Sequence, residues 1–259
     1  MILISIIIAT WNSEKTLKRC LDSIIPQLTK NIELLIVDGG SIDKTNDIID
    51  SYGENISFHI SEPDKGVYDA WNKAITHSSG KWITFLGSDD ELMPDAIQNY
   101  ERFLNENKGE EYDIICAKLY FMSNTGKIIR EVGEPWNWYK LTHRKWKYAH
   151  PGLLHNRKLF DKFGLFDLQY KICADTDFLQ RIGSNIKAGF INQFLVKMSA
   201  GGISDSFQAI KEGFLIRKKN KTLSAFENVY SFCGICIRYK LYRIKRWNYK
   251  NHVKPVRQK

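Results

Sequence analysis

The sequence predicts an α/β domain with a mostly parallel central sheet and helices on both faces, followed by a basic helical C-terminal tail. Three observations carry that prediction. Over the first hundred residues, short apolar runs rich in β-branched residues alternate with amphipathic stretches. The links between them are short. Polar residues, aspartates above all, collect just past the end of each apolar run, which is where open parallel sheets bind ligands.

The elements follow in order. "LISIIIA" (3–9) is apolar nearly throughout, as a strand buried on both faces should be. Asn12 or Ser13 can cap a helix whose Leu17, Leu21, Ile24 and Ile25 share one face, with Pro26 at its end. "IELLIV" (32–37) is the second strand, and Ser41 opens a helix carrying Ile48, Ile49 and Tyr52 that stops near Gly53. "ISFHI" (56–60) is the third strand, followed by a helix over 67–77. "WITFL" (82–86) is the fourth, and Pro94 suits the first turn of the next helix.

Past residue 105 the pattern changes. "YDIICAKLYFM" and "KIIREV" flank "SNTGK", which reads as a hairpin turn. An aromatic-rich section, "EPWNWYKLTHRKWKYAHPG", has little periodicity. Short helices are expected near 157–163 and 175–183, a strand near 190–198, and basic amphipathic helix from about Ser204.

The chain of 259 residues is 43% hydrophobic, enough to bury a substantial core. Its net charge of +9 is uneven: residues 211–259 hold 14 Lys/Arg against 2 Asp/Glu, a local +12, which leaves −3 for the rest. Such a tail suits a polyanionic surface. Basic residues interleaved with aromatics favour an anionic membrane, and no nucleic-acid partner is expected. Five cysteines, an odd number and scattered, favour reduced thiols in the cytosol. Cys233-Gly-Ile-Cys236 is a lone CxxC and reads as helix packing. "MILISIIIAT" lacks a basic leader and a small-residue cleavage site, and neither it nor "VYSFCGICI" can span a bilayer. The expectation is a cytoplasmic protein, peripheral on the inner face of the membrane.

Carboxylates after successive strands (Asp38, Asp64, Asp89, Asp90) would crowd one sheet edge, and like charges raise each other's pKa. A hard divalent cation, Mn²⁺ or Mg²⁺, relieves that conflict and also binds substrate phosphates. No glycine-rich phosphate loop follows the first strand, where "ATWNSEKT" stands, so P-loop kinases and nicotinamide-dependent dehydrogenases are disfavoured.

"SIIIATWNSEKTLKRCLDSI", "ELLIVDGGSIDKT", "SEPDKGVYDAWNKAI", "GKWITFLGSDD" and "ADTDFLQR" occur in the order found in glycosyltransferase family 2, which the chain resembles over about residues 2–205. The form "SEPDKGVYDAWNKA" is most similar to the branch building bacterial surface polysaccharides. The resemblance implies a glycosyltransferase A fold and an inverting transfer from a nucleoside-diphosphate sugar, a UDP-sugar favoured. The acceptor would be a glycan or polyprenyl-linked glycan. It implies a catalytic domain over 1–205, with a nucleotide-binding half (1–105) and an acceptor-binding half (106–205), and a basic extension over 206–259.

By the same resemblance, Thr10, Trp11 and Asn12 line the nucleotide pocket, and Asp38 accepts the imino proton of the base. Asp64 lies near base or ribose, where many relatives carry Asn. Asp69 and Asn72 face the donor, Trp71 stands where relatives often have Arg, and Ser88 and Asp89 contact the donor ribose or sugar. Asp90 is the metal ligand. Gly87 replaces the first aspartate of the metal motif, and its loss of a carboxylate predicts a weaker metal site. Ala174 replaces the glutamate of a Glu-Asp motif whose aspartate, Asp175, is the expected general base, with Asp177 its rival. His150 and His155 read as structural. Ser204, past Gly201-Gly202, would cap the next helix or touch the donor. Two other readings remain open: a metal-dependent nucleotidyltransferase, and a non-enzymatic basic protein binding membrane or nucleic acid.

Overall fold

The computed structural model describes residues 1–106, 111–143, 150–202 and 206–252, and beyond residue 241 the only side chain described is that of Arg243. Its centre is β1 (Ile4–Thr10), flanked by β2 (Ile32–Asp38) and β4 (Trp82–Gly87), both parallel to it. β3 (Phe58–Ser61) adds in parallel to β2. Alternation along β1 explains its continuous apolar run. Ile6 and Ile8 enter one core layer with Leu17 and Leu21, while Ile7 enters the other with Ala70 and Ala74. The helices behind those layers are α1 (Leu17–Ile24) and α4 (Ala96–Glu106) on one side and α3 (Val67–His77) on the other.

Two helix starts differ from the sequence expectation. Asn12 adopts a left-handed φ of 48° and turns its side-chain oxygen to the Ile42 N–H (3.1 Å), so it caps nothing. α1 starts instead after Thr16, and the Ser13 carbonyl accepts the Thr16 and Leu17 amides. α2 (Thr45–Asp50) begins four residues after Ser41, because Asp43 takes the Thr45 amide at 3.0 Å while Ser41 is drawn to Asp38.

The second half makes the sheet mixed. The full order is β3-β2-β1-β4-β8-β6-β9-β5. β8 (Leu153–Asn156) runs antiparallel to both β4 and β6 (Ile114–Met122), and β9 (Ala188–Ser199) lies parallel to β6. β5 (Glu91–Leu92) pairs with β9, bringing the end of β9 back beside the residues that follow β4. β7 (Ile128–Val132) forms the expected hairpin with β6, with Gly126 at φ 76° in its turn.

α5 (Trp138–Thr142) and α6 (Lys158–Phe163) precede α7 (Ala174–Ile182). The tail forms two helices, α8 (Phe207–Lys219) and α9 (Ala225–His252). Ala209 and Ile216 of α8 sit in the second core layer. Ser206 caps α8, and Ser204 lies outside the described residues. No helix among the described residues is long and apolar enough to cross a membrane. Cys233 is exposed on α9, so that thiol does not serve helix packing, and Cys236 is half-buried.

Candidate functional site

Strand register builds the site. Thr10 pairs with Asp38, Asp38 with Ser61, and Ala9 with Gly87, so the carboxyl ends of four parallel strands finish on one line. Thr10 is buried, and its hydroxyl has no hydrogen-bond partner among the described residues. Its carbonyl accepts the Gly39 amide at 2.9 Å. Trp11 beside it is 68% exposed. Asn12 donates its amide to the Ser41 hydroxyl at 2.7 Å, which ties the turn after β1 to the turn after β2.

Asp38 is wholly buried and heavily hydrogen-bonded. It accepts the amides of Gly40 (3.1 Å) and Ser41 (2.8 Å), the hydroxyls of Ser41 and Ser61 (2.6 Å), and the side-chain amide of Asn46 (3.2 Å). Burial pushes its carboxyl up, but these donors outweigh that and hold it below the ordinary carboxylate range. A carboxylate offers about four lone-pair sites. Four of these five bonds converge on Oδ2 and shape the loop, while Oδ1 accepts only the Ser41 hydroxyl.

Asp64 crosses Gly39 so closely that a Cβ there would lie 2.7 Å from Asp64 Oδ2, and Asp64 Oδ1 accepts the Gly66 amide at 2.7 Å. Asp69 accepts the Lys65 amide at 2.9 Å and closes the first turn of α3. Asn72 brackets Phe166, donating to its carbonyl (2.9 Å) and accepting its amide (3.0 Å), so its amide group serves the fold. Trp71 is buried in the second core layer.

Past β4, the Ser88 hydroxyl meets that of Ser13 at 2.8 Å. Asp90 is 3% exposed, and its two oxygens accept the amides of Gly87 (3.1 Å) and Ser199 (2.9 Å). Ser199, at the end of β9, also donates its hydroxyl to the Asp89 carbonyl at 2.6 Å. The sequence reading missed Ser199, whose only signal was its place beside the Gly201-Gly202 loop. Burial first and the neighbouring Asp89 second push the Asp90 carboxyl up to about 7. Asp89 is exposed as a residue, yet its carboxylate turns back over Gly87, and burial there raises it too. A Cβ on Gly87 would lie 2.8 Å from Asp89 Oδ1 and 2.9 Å from Asp90 Oδ2. Gly87 therefore makes room for two converging carboxylates and is more than a lost ligand.

Asp175 occupies the first turn of α7, half-buried. Its Oδ1 accepts from the Tyr68 hydroxyl (3.2 Å) and the Thr176 amide (2.7 Å). Tyr68 lies on α3, directly after the Asp64–Gly66 turn, so α7 meets α3 there. His150 Nδ1 is 3.7 Å from Asp175 Oδ2, with the His150 ring stacked on Trp71 at 4.8 Å. Burial, reinforced by His155, holds His150 well below its ordinary pKa, so a neutral ring faces the carboxylate. Asp177 is wholly buried against Arg181 (2.9 Å) and Asn220 (3.0 Å) and is not open to a substrate. Ala174, in place of a glutamate, is packed in the core.

The model for Glycosyl transferase family 2 matches residues 5–166. A PGL/p-HBAD biosynthesis glycosyltransferase of Mycobacterium tuberculosis is 34% identical over 185 residues, covering 70% of each chain. Among solved structures, S. aureus TarS 1–349 in complex with UDP-GlcNAc superposes with a TM-score of 0.68 at 15% identity, over 98% of this chain and 77% of that one. The match to the longer TarS chain covers 39% of it. The mannosyltransferase PcManGT from Pyrobaculum calidifontis, in complex with GDP-Man and Mn²⁺, gives a TM-score of 0.62 at 14% identity, over 88% of this chain and 71% of that one. The mixed sheet, the strand-end site and the match over residues 5–166 together place the chain, with its glycosyltransferase A fold, in glycosyltransferase family 2.

Proposed function

We propose that this glycosyltransferase moves a sugar, with inversion, from a UDP-sugar to a hydroxyl of a glycan or lipid-linked glycan in cell-surface polysaccharide synthesis. The observation that carries the reading is the shared register of the strand ends, which sets the unpartnered Thr10 hydroxyl and the Ser41 loop on one edge with the Asp89–Asp90 pair. Thr10, Asn12, Asp64 and Ser88 line the nucleotide side of that edge, and Asp38 holds its wall. UDP-GlcNAc in a TarS complex supports the donor class.

Asp175 is the general base. As the acceptor oxygen attacks the anomeric carbon, the bond from that carbon to the diphosphate oxygen breaks, and the acceptor proton passes to an Asp175 oxygen. The single Tyr68 O–H is shared between the Ile172 carbonyl (2.7 Å) and Asp175 Oδ1 (3.2 Å), which holds the carboxylate beside α3. His150, held well below its ordinary pKa by burial, faces that carboxylate as a neutral ring.

The residues at Gly87–Asp90 fit a divalent ion. They offer hard oxygen donors, and Asp90 is a carboxylate driven up by burial and by the neighbouring Asp89. No set of three acidic, His or Cys groups suited to a metal occurs among the described residues, so phosphate and water would complete the shell. Bound there, Mn²⁺ or Mg²⁺ would supply positive charge to the departing diphosphate. Gly87→Ala should displace the carboxylate pair and lower turnover by about tenfold or more. Steady-state nucleotide release checks this, and wild-type turnover would contradict it.

The function is tested by screening UDP-, GDP- and dTDP-sugars with each ion, following nucleotide release and thermal stabilisation. A UDP-sugar at 100 times its dissociation constant should stabilise the protein by about 2.7 kcal/mol. Stabilisation by none of the donors would overturn the reading.

The tail supports an anionic membrane as the acceptor's location, on the cytoplasmic face. Asn228, Phe232 and Tyr239 turn α9 toward α8, through Arg217, Phe214 and Phe207. The opposite face exposes Phe226, Val229, Tyr230, Ile237 and Leu241, with the exposed cations Arg238, Lys240 and Arg243 near it. A second copy packed there would set two +12 tails together, whereas anionic lipid neutralises them. The protein should co-sediment with vesicles containing phosphatidylglycerol and lose that binding on joint Phe226→Ser, Tyr230→Ser and Ile237→Ser substitution. Equal binding to neutral phosphatidylcholine vesicles would contradict the charge argument.

A further inference from the structure

α8 carries a buried carboxylate that the chemistry above does not use. Glu212 is 3% exposed and faces the turn that leads into α7. Its Oε1 accepts the Lys171 amide at 3.1 Å, and its Oε2 accepts the amides of Ile172 (2.9 Å) and Cys173 (3.0 Å). Gln208, one turn earlier on α8, donates to Oε1 at 3.4 Å. One side chain thus holds three successive amides, the last of them on Cys173, the N-cap of α7, whose own side chain makes no capping bond. Asp175 follows two residues later.

The same turn is held from the other side. The Tyr68 hydroxyl lies 2.7 Å from the Ile172 carbonyl as well as 3.2 Å from Asp175 Oδ1, and Lys171 Nζ donates to the Lys65 carbonyl at 3.1 Å. Residues 171–173 are therefore clamped between α3, which belongs to the nucleotide half, and α8, which belongs to the tail. A carboxylate is the right group for the α8 side. It accepts several amides at once with no hydrogen of its own to clash, and such charge-assisted bonds are the stronger kind.

We propose that Glu212 is a positioning residue for the transfer reaction: by gathering the amides of 171–173 it fixes the first turn of α7 and so aims Asp175 at the acceptor hydroxyl. The proposal rests on Asp175 being the base. A proton-transfer group displaced by about 1 Å can cost about a hundredfold in rate, which sets the scale of the effect. α8 lies outside the segment the family model matches, so the tail contributes to the reaction as well as to any surface it meets.

The test compares two buried glutamates that make similar bonds at opposite ends of the molecule. Glu33 accepts the amides of Ser79 (2.6 Å) and Gly80 (3.0 Å) near the start of β4, away from the site edge. In Glu212→Gln the side-chain amide would confront main-chain N–H groups. Nucleotide release from the donor found in the screen should fall about 30-fold in kcat, with the donor KM within about threefold of wild type. Peptides covering 171–176 should also exchange amide hydrogens faster in that variant. Glu33→Gln should lower the melting temperature but leave kcat within about twofold. Glu212→Asp, which keeps the charge with a shorter reach, should lie between wild type and Glu212→Gln, and it carries the comparison if Glu212→Gln does not fold. Wild-type kcat in the Glu212 variants, or an equal kcat loss in Glu33→Gln, overturns the proposal while leaving Asp175 as base. Wild-type kcat in Asp175→Asn overturns both.

Discussion

Asp175→Asn should lower turnover by about 10³-fold while leaving donor affinity within about threefold, because the amide keeps the shape of the carboxylate and cannot take a proton. With Asp175 in the proposed role of base, the loss should fall on kcat, and its partners in the fold are Tyr68 and Thr176. The rival carboxylate gives the contrast. Asp177→Asn disturbs a buried ion pair with Arg181, so it should cost stability before it costs rate. Steady-state kinetics together with melting curves for both variants check this. A variant at position 175 that retained turnover would remove the base.

The second large effect joins function to stability in opposite directions. Burial, and then Asp89, raise the Asp90 carboxyl from its ordinary 3.8 to about 7. Between about pH 4 and pH 7 the folded protein therefore holds a proton that the unfolded chain has already released. Metal-free wild type should lose stability as pH climbs through that window, by on the order of 3 kcal/mol for this one group. Asp90→Asn cannot titrate, so the stability difference between it and wild type should shift in its favour by that amount over the same range. Carboxylates distant from the pair cancel in the comparison because both proteins carry them, and Asp89, which repels Asp90, adds to the difference in the same sense. Saturating Mn²⁺ should restore wild type above pH 7 and do little for the variant, which should be inactive. Melting curves at several pH values, with and without the ion, read this out, and a pH-independent difference would contradict it.

Much of the fold was legible because its physics is local. Three of the four parallel strands, β1, β2 and β4, are mainly apolar runs, and the helix expected over 67–77 is the one observed. What escaped was short or non-local. β8 has four residues after an aromatic section without periodicity, and β5 has two, yet both help make the sheet mixed. Asn12 and Ser41 have the composition of helix caps, but each is claimed by a partner about thirty residues away or by Asp38.

The site divides the same way. Linear motifs marked Thr10, Asp38, Asp89, Asp90 and Asp175, but they could not say that Asp38 holds Ser41, Ser61 and Asn46 around it. Nor could they say that Asn72 is spent on Phe166. Gly87 read as an absent carboxylate, while in space its missing Cβ is where two carboxylates converge. Ser199 and Glu212 belong to no motif, and each acts through main-chain atoms brought near by tertiary packing.

On the proposed function, the sheet edge ending in Thr10, Asp38, Ser61 and Gly87–Asp90 takes a nucleoside diphosphate together with a divalent ion. Calorimetric titration of UDP into wild type and Asp90→Asn, each with and without Mn²⁺, tests it without any acceptor. The account predicts binding to wild type that depends on Mn²⁺ and weakens at least about tenfold in the variant, a difference of about 1.4 kcal/mol. Equal affinity in the two proteins, or no heat with UDP under any of these conditions, would contradict it.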